Sequence, residues 1–136
     1  MDFLDTNILL RHLLQDHAEY SPKATAYLLQ IQEGRTRVFT SDLVIFEIVY
    51  TLQRTYKKPK VTIKEAVLSL LELSAIYLPG KRRYSRVFEL YTELNISFAD
   101  AYHIVFMEKK KITNVASFDR DFDRAKKVSK IRRVKL

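Results

Sequence analysis

Asp2-Phe3-Leu4-Asp5-Thr6-Asn7 opens the chain with an apolar pair that runs into a carboxylate, a hydroxyl and an amide, and Ile8-Leu9-Leu10-Arg11-His12-Leu13-Leu14 follows with the pattern of a helix. Read as a strand entering a helix, the stretch puts Asp5 at the carboxyl end of a strand. In open α/β sheets, ligands gather in the crevice outside those ends, where short polar side chains and backbone amides are presented without blocking the core. The competing reading is local, since Asp, Thr and Asn all cap helices well. Acids further along the chain weigh toward the first.

Outward from that stretch, short apolar runs alternate with amphipathic ones. Ser21-Pro22 predicts a helix start, Ser at the N-cap and Pro at the first helical position, with Ala24, Tyr27, Leu28 and Ile31 facing inward and Gly34 ending the helix. Val38-Phe39-Thr40 reads as a strand, and Ser41-Asp42 opens a long helix through Leu43, Ile45, Phe46, Ile48, Val49 and Leu52, fraying near Tyr56 to Pro59. Glu47 falls inside its most apolar stretch. A carboxylate there reaches the surface, satisfies a neighbour, or points into a functional cleft. Thr62-Ile63-Lys64-Glu65 predicts a capping box ahead of Ala66, Val67, Leu70 and Leu71, and Ala75 to Leu78 predicts a strand stopped by Pro79-Gly80. Arg83 to Leu94 reads as a helix with Val87, Leu90, Tyr91 and Leu94 in the core. Ser97-Phe98-Ala99-Asp100 is a second capping box, which puts Asp100 in the first turn of a helix. Thr113 to Ser117 is a short strand that breaks into Phe118-Asp119-Arg120-Asp121-Phe122-Asp123, and Val128, Ile131 and Val134 suggest a last edge strand. One alternating β and α series, without repeats or linkers, argues for a mostly parallel sheet covered on both faces.

Composition bounds the rest. The 136 residues, 47% hydrophobic with two Gly and three Pro, suit one domain spanning 1–136 that needs no staples. With no cysteine, disulfides, zinc-thiolate clusters and thiol nucleophiles are excluded. No apolar run approaches the length of a membrane span and no basic leader precedes Asp2 and Asp5, so no membrane association and a cytoplasmic location are expected. A formal charge of +8, from 24 Lys and Arg against 16 acids, attracts polyanions in a salt-sensitive way. Much of it is terminal, in Lys126, Lys127, Lys130, Arg132, Arg133 and Lys135, and such a run is ordinarily a solvated face.

Asp5 and Asp119 each follow a short strand, Asp100 opens a helix, and Glu47 lies on the long helix. Carboxylates converging at one sheet edge repel one another unless protons or cations intervene. Hard oxygen ligands select Mg²⁺ or Mn²⁺, which can lower the pKa of a bound water, and the basic surroundings would draw in a phosphodiester. The pattern describes a metal-dependent nuclease.

Leu4-Asp5-Thr6-Asn7, Phe46-Glu47, Ala99-Asp100-Ala101 and Ser117-Phe118-Asp119-Arg120-Asp121-Phe122 occur in the order and spacing of the PIN-domain family, which the whole chain resembles. Within it, the compact length and the Asp5 to Arg11 opening resemble most the VapC-type toxins of type II toxin-antitoxin modules. The resemblance implies a three-layer α/β/α sandwich around a twisted, mostly parallel sheet of four to five strands. It implies Mg²⁺- or Mn²⁺-dependent endoribonuclease activity, an antitoxin whose tail enters the cleft, and a homodimer. Carried over residue by residue, Asp5, Glu47, Asp100 and Asp119 match the acidic quartet. Asp5 and Asp100 would be the principal metal ligands, Glu47 and Asp119 would contribute directly or through water, and one of these two would orient or deprotonate the attacking water. Thr6 belongs to the same motif, and Asn7 and Ser117 match the polar positions that hold the carboxylates, Ser117 standing where Thr is more usual. Asp121 is either an assistant or a surface acid of the turn.

Arg11, Lys81, Arg82 and Arg83 are candidate RNA contacts, and His103, one turn after Asp100, a candidate neighbour of the site. His12 and His17 lack a third ligand at metal spacing, and the Asn95-Ile96-Ser97 sequon matters only in a secreted protein. An HAD-type phosphatase needs a second Asp where Asn7 stands. The stronger rivals are a PIN nuclease of RNA maturation or decay and a non-catalytic PIN-like module that binds RNA or protein.

Overall fold

In the computed structural model, which describes residues 1–136, the chain divides into two compact units, Met1–Lys81 and Arg82–Leu136. In the first unit the opening apolar pair does enter a parallel ladder. Strand β1 (Asp2–Phe3) pairs with β2 (Val38–Phe39), and β2 with β3 (Ile76–Tyr77), in the order β1-β2-β3. Asp2, Val38 and Ile76 lie in one row, and Phe3, Phe39 and Tyr77 in the next. Val38 and Ile76 are buried while the aromatic row is exposed, the alternation that the pleat imposes. Backbone bonds from Leu4 N to Phe39 O (2.7 Å) and from Thr40 N to Tyr77 O (2.9 Å) carry the ladder one residue further. The buried Thr40 hydroxyl donates to the Leu4 carbonyl at 3.0 Å, fixing the end of β1 just before Asp5.

Helices α1 (Thr6–Leu14), α2 (Tyr20–Gln32), α3 (Asp42–Arg54) and α4 (Lys60–Leu71) complete this unit. Their buried stripes, among them Leu9, Leu28, Ile31, Ile45, Ile48, Val49, Ile63 and Val67, form its core. Ser41 caps α3 as expected, accepting from Val44 N at 3.3 Å. Gly34 ends α2 with φ of 76°, and the bonds Gly34 N to Ile31 O and Arg35 N to Gln30 O make a Schellman motif. Tyr27, expected inside, is half-buried, its hydroxyl donating to Asp2 at 2.6 Å.

Two predicted helix starts lie inside their helices instead. Helix α2 begins at Tyr20, so Pro22 is third in the helix. That place still needs no N–H partner. Ser21 is buried and bridges segments, accepting from His17 N and donating to Arg11 O at 2.7 Å. Helix α4 begins at Lys60 after Pro59, leaving Thr62 within its first turn and the predicted capping box unformed. Pro59, extended at φ −62° and ψ 146°, sets the start through its own carbonyl, which accepts from Ile63 N.

A 3₁₀ turn at Lys81–Arg83 leads into α5 (Tyr84–Glu93), followed by α6 (Phe98–Lys110), β4 (Asn114–Val115), α7 (Asp121–Arg124), a 3₁₀ turn over Ala125–Lys127, and β5 (Arg132–Arg133). Strands β4 and β5 pair in parallel. Phe98 packs among Phe88, Tyr91 and Tyr84, with ring centroids 5.0, 5.4 and 6.3 Å away, which fixes α6 against α5 two residues ahead of Asp100. Leu94 is only half-buried, and Val128 is exposed while Ile131 is buried. Arg86 reaches Glu89, Glu108 and the Val128 carbonyl, tying α5 to α6 and to the turn after α7. Every strand pair is parallel, which places the chain in the α/β class. With two residues per strand, the sheets are smaller than the apolar runs predict. No helix is long and apolar enough to cross a membrane.

Candidate metal centre

The second unit brings three acids together. One carboxylate oxygen each from Asp100, Asp119 and Asp121 lies within 4.8 Å of the others. Ser97 starts the arrangement by capping α6, its hydroxyl accepting from Asp100 N at 3.1 Å. The expected return bond of the capping box goes elsewhere, because Ser97 N donates to Asp121 Oδ2 at 3.2 Å. Asp121 thereby takes the place predicted for the Asp100 carboxylate, and the latter is left to face its neighbours. Arg124 holds the other Asp121 oxygen at 3.0 Å and donates to the Asn95 carbonyl at the same distance. Asp121 is therefore half-buried and engaged, not a loose acid of the turn.

Two side-chain to backbone bonds shape the loop after β4. Ser117 Oγ accepts from Asp119 N at 2.9 Å, and Asp119 Oδ1 accepts from Asp121 N at 2.9 Å. Such turns are what Ser and Asp do locally. Here they aim the exposed Asp119 at Asp100.

The electrostatics follow from the crowding. Asp100 is half-buried, and loss of hydration, then hydrogen bonds with Asp119 and Asp121 and the charge of Asp119, push its carboxyl up to about 7, with Ser97 opposing. Asp119 moves the other way. The Asp121 amide and the hydrogen bond from Asp100 hold it below the usual carboxylate range, with help from Arg124 and Arg133. The two titrate as a pair, and the more buried member keeps the shared proton. A cation could take that proton's place. The donors are all hard oxygens, and opposite ligands of a Mg²⁺ ion at roughly 2.1 Å would stand about 4.2 Å apart, close to the span of this cluster. The residues present fit such an ion.

In the first unit, Asp5 precedes α1 but its side chain makes no capping bond, so the helix-cap reading of this acid fails. Asp5 and Asn7 are both exposed. Thr6 is buried and donates to Glu47 Oε2 at 2.7 Å, holding one oxygen of an otherwise exposed carboxylate. Glu47 thus both reaches the surface and accepts from a neighbour.

The candidate RNA contacts divide. Arg11 pairs with Asp16 at 2.8 Å, Lys81 donates to the carbonyls of Leu73 and Ile76, and Arg83 lies over the rings of Tyr102 and Tyr84 at 5.0 and 5.8 Å. Arg82 and His103 are exposed. His12 meets the Thr25 hydroxyl at 2.9 Å, while His17 accepts from Tyr20 N and stacks on its ring at 4.2 Å. Sequence reasoning passed over Arg124, whose spacing of three from Asp121 on one helix was the available signal. It also passed over Phe118.

A protein similar to this chain is the VapC ribonuclease of Aquifex aeolicus (strain VF5), 28% identical over 122 residues that cover 90% of each chain. The family model described as PIN domain matches residues 3–128, a span that takes in Asp5, Glu47, Asp100, Asp119 and Asp121 and runs through both units. With nearly the whole sequence matched, and with the parallel α/β elements and the acid cluster in place, the chain belongs to the PIN-domain family.

Proposed function

We propose that this chain is a Mg²⁺- or Mn²⁺-dependent endoribonuclease and the toxin of a VapBC-type toxin-antitoxin module. The observation that carries the reading is the cluster of Asp100, Asp119 and Asp121, in a PIN-domain chain similar to a VapC ribonuclease. Asp100 and Asp119 would be ligands of the cation, and Asp5 and Glu47 match the remaining two acidic positions of the family. A bound divalent ion would supply Lewis acidity toward the scissile phosphate and a lowered pKa for water.

The chain's own groups prepare that chemistry. Asp119, kept ionised by the Asp121 amide, offers a charged ligand throughout the neutral range. Asp100 would have to be deprotonated to serve as a ligand, so binding of a cation would compete with its proton. Glu47, with Oε2 fixed by Thr6, keeps its other oxygen to orient or deprotonate the attacking water. Asn7, Ser117 and Asp121 position the acids. Arg82 is the RNA contact kept from the sequence reading, since Arg11 and Arg83 are held by Asp16 and by aromatic rings. An antitoxin protein, a homodimer and a cytoplasmic location complete the proposal.

The test is incubation of total RNA from the source cell with the purified, antitoxin-free protein, with Mg²⁺ or Mn²⁺ present or chelated. New 5′ ends are mapped for wild type and Asp100→Asn. Ends that require both the ion and Asp100 are expected. Cleavage unaffected by the substitution would sink the assignment, and folded protein that makes no new ends would favour a binding module.

A further inference from the structure

Phe118 is the most solvent-exposed of the large hydrophobic side chains, at 86%. It stands between two polar residues that fix it. Ser117 and Asp119 flank it, and their bonds to the backbone amides of Asp119 and Asp121 tie down the loop that carries the exposed ring. An aromatic left in water by a well-tied turn contributes nothing to the core. Its surroundings indicate what it meets.

Phe118 lines a groove of about 510 Å³ with Ser117, Lys126, Arg132, Arg133 and Lys135. Arg133 is engaged there by Asp123 in a two-pronged pair at 2.8 and 2.9 Å. Lys126, Arg132 and Lys135 are exposed and in no ion pair. Lys126 and Arg132 also line a second groove of about 790 Å³ with Lys130, so the basic track continues past the first. This unit holds 14 Lys and Arg against 7 Asp and Glu, seven of the eight net charges of the chain. Asp119 follows Phe118, which lines the first groove, directly in the chain. A row of cations with one fixed, exposed ring is the usual equipment for a single-stranded polynucleotide, whose phosphates follow the charges while an unpaired base stacks on the ring.

We propose that Phe118 is a base-stacking platform, and that Lys126, Arg132, Lys135 and Lys130 form the phosphate track that leads single-stranded RNA past the acid cluster. The inference rests on the ribonuclease reading and names how that substrate is held. Charge decides against a protein partner as the occupant of this face, because a protein must match a basic strip with its own acids, whereas RNA brings a phosphate with every base.

The experiment is binding, not cleavage. Fluorescence anisotropy in EDTA compares a labelled single-stranded RNA with an abasic strand of the same length, for wild type, Phe118→Ala, Phe118→Trp and Lys126→Ala. Phe118→Ala should weaken the base-bearing strand roughly 5- to 150-fold and leave the abasic strand unchanged, while Phe118→Trp restores binding. Lys126→Ala should weaken both strands and lower the salt slope by about 0.7. Phe118→Ala binding both strands as wild type does would overturn the stacking role and leave the nuclease reading intact. Equal weakening on both strands would make Phe118 a prop for the loop and overturn it too. Wild-type protein that binds no single-stranded RNA at low salt would overturn this inference, while the nuclease reading would still stand or fall on the cleavage test with the ion present. An antitoxin complex lost in Phe118→Ala while RNA binding persists would assign the face to protein.

Discussion

Replacing Asp100 with Asn should stabilise the protein at alkaline pH when no divalent cation is present. In the folded chain the Asp100 carboxyl titrates near 7 against 3.8 when unperturbed, because burial and the neighbouring acids disfavour its charged form. Between those values the folded state binds the proton more than the unfolded state does, so stability falls as pH rises through the window. At about 1.4 kcal/mol per pH unit the whole shift would amount to about 4 kcal/mol. Screening of a half-buried side chain reduces this to roughly 2 kcal/mol. Asn imitates the protonated acid, since its amide can donate to Asp119 as the carboxyl does, and it cannot ionise. The opposite shift of Asp119 acts in a separate window, because its contribution is lost only as pH falls below 3.8 through its depressed value.

Thermal melts in EDTA from pH 4 to pH 8 read this out. Near pH 4 the two proteins should melt together. At pH 8 the variant should melt roughly 8 °C higher, at about 4 °C per kcal/mol for a domain of this size. Adding Mg²⁺ at pH 8 should raise wild type and narrow the gap, since the cation binds the folded form and relieves the same repulsion. A variant that melts at or below wild type across the whole range would refute the account of a carboxyl held protonated by its neighbours. A pH dependence that survives in the variant would place it on another group.

The Thr6 hydroxyl that holds Glu47 should matter to rate more than to fold. Thr6→Val should cut cleavage about tenfold, the worth of about 1.4 kcal/mol in a positioning hydrogen bond, with little change in the melt, and undiminished turnover would remove Glu47 from the water-positioning role. Ser97→Ala deletes the cap of α6 and should cost about 1 kcal/mol, read as a lower urea midpoint, whereas an unchanged midpoint would mean that the Asp100 amide finds water as readily as it finds Ser97.

What the sequence made legible divides by the range of the interaction that decides it. Ser41, Ser97 and Gly34 were readable because each acts within a few residues of itself, through a cap or a left-handed turn. Ser21-Pro22 and Thr62 carried the same local signals and misled, because contacts from outside the motif extended the helices past them. Ser21 bonds the Arg11 carbonyl of the preceding helix, and Pro59 starts α4 earlier than Thr62 would. Asp5 had the right chemistry for a cap and does not act as one.

The acids follow the same rule. Their identities were plain in the sequence, but the division of labour between Asp100 and Asp121 was not, because it turns on one backbone amide. Ser97 N is satisfied from 24 residues away by Asp121, so Asp100 need not serve the helix that presents it. Had the capping box closed on itself, the Asp100 carboxyl would be spent on its own helix terminus, and its proton affinity would fall with that bond. Asp121, pinned by Ser97 and Arg124, instead frees Asp100 to pair with Asp119. The residue whose role is ambiguous in sequence is thus the one that leaves its neighbour free to share a proton with Asp119.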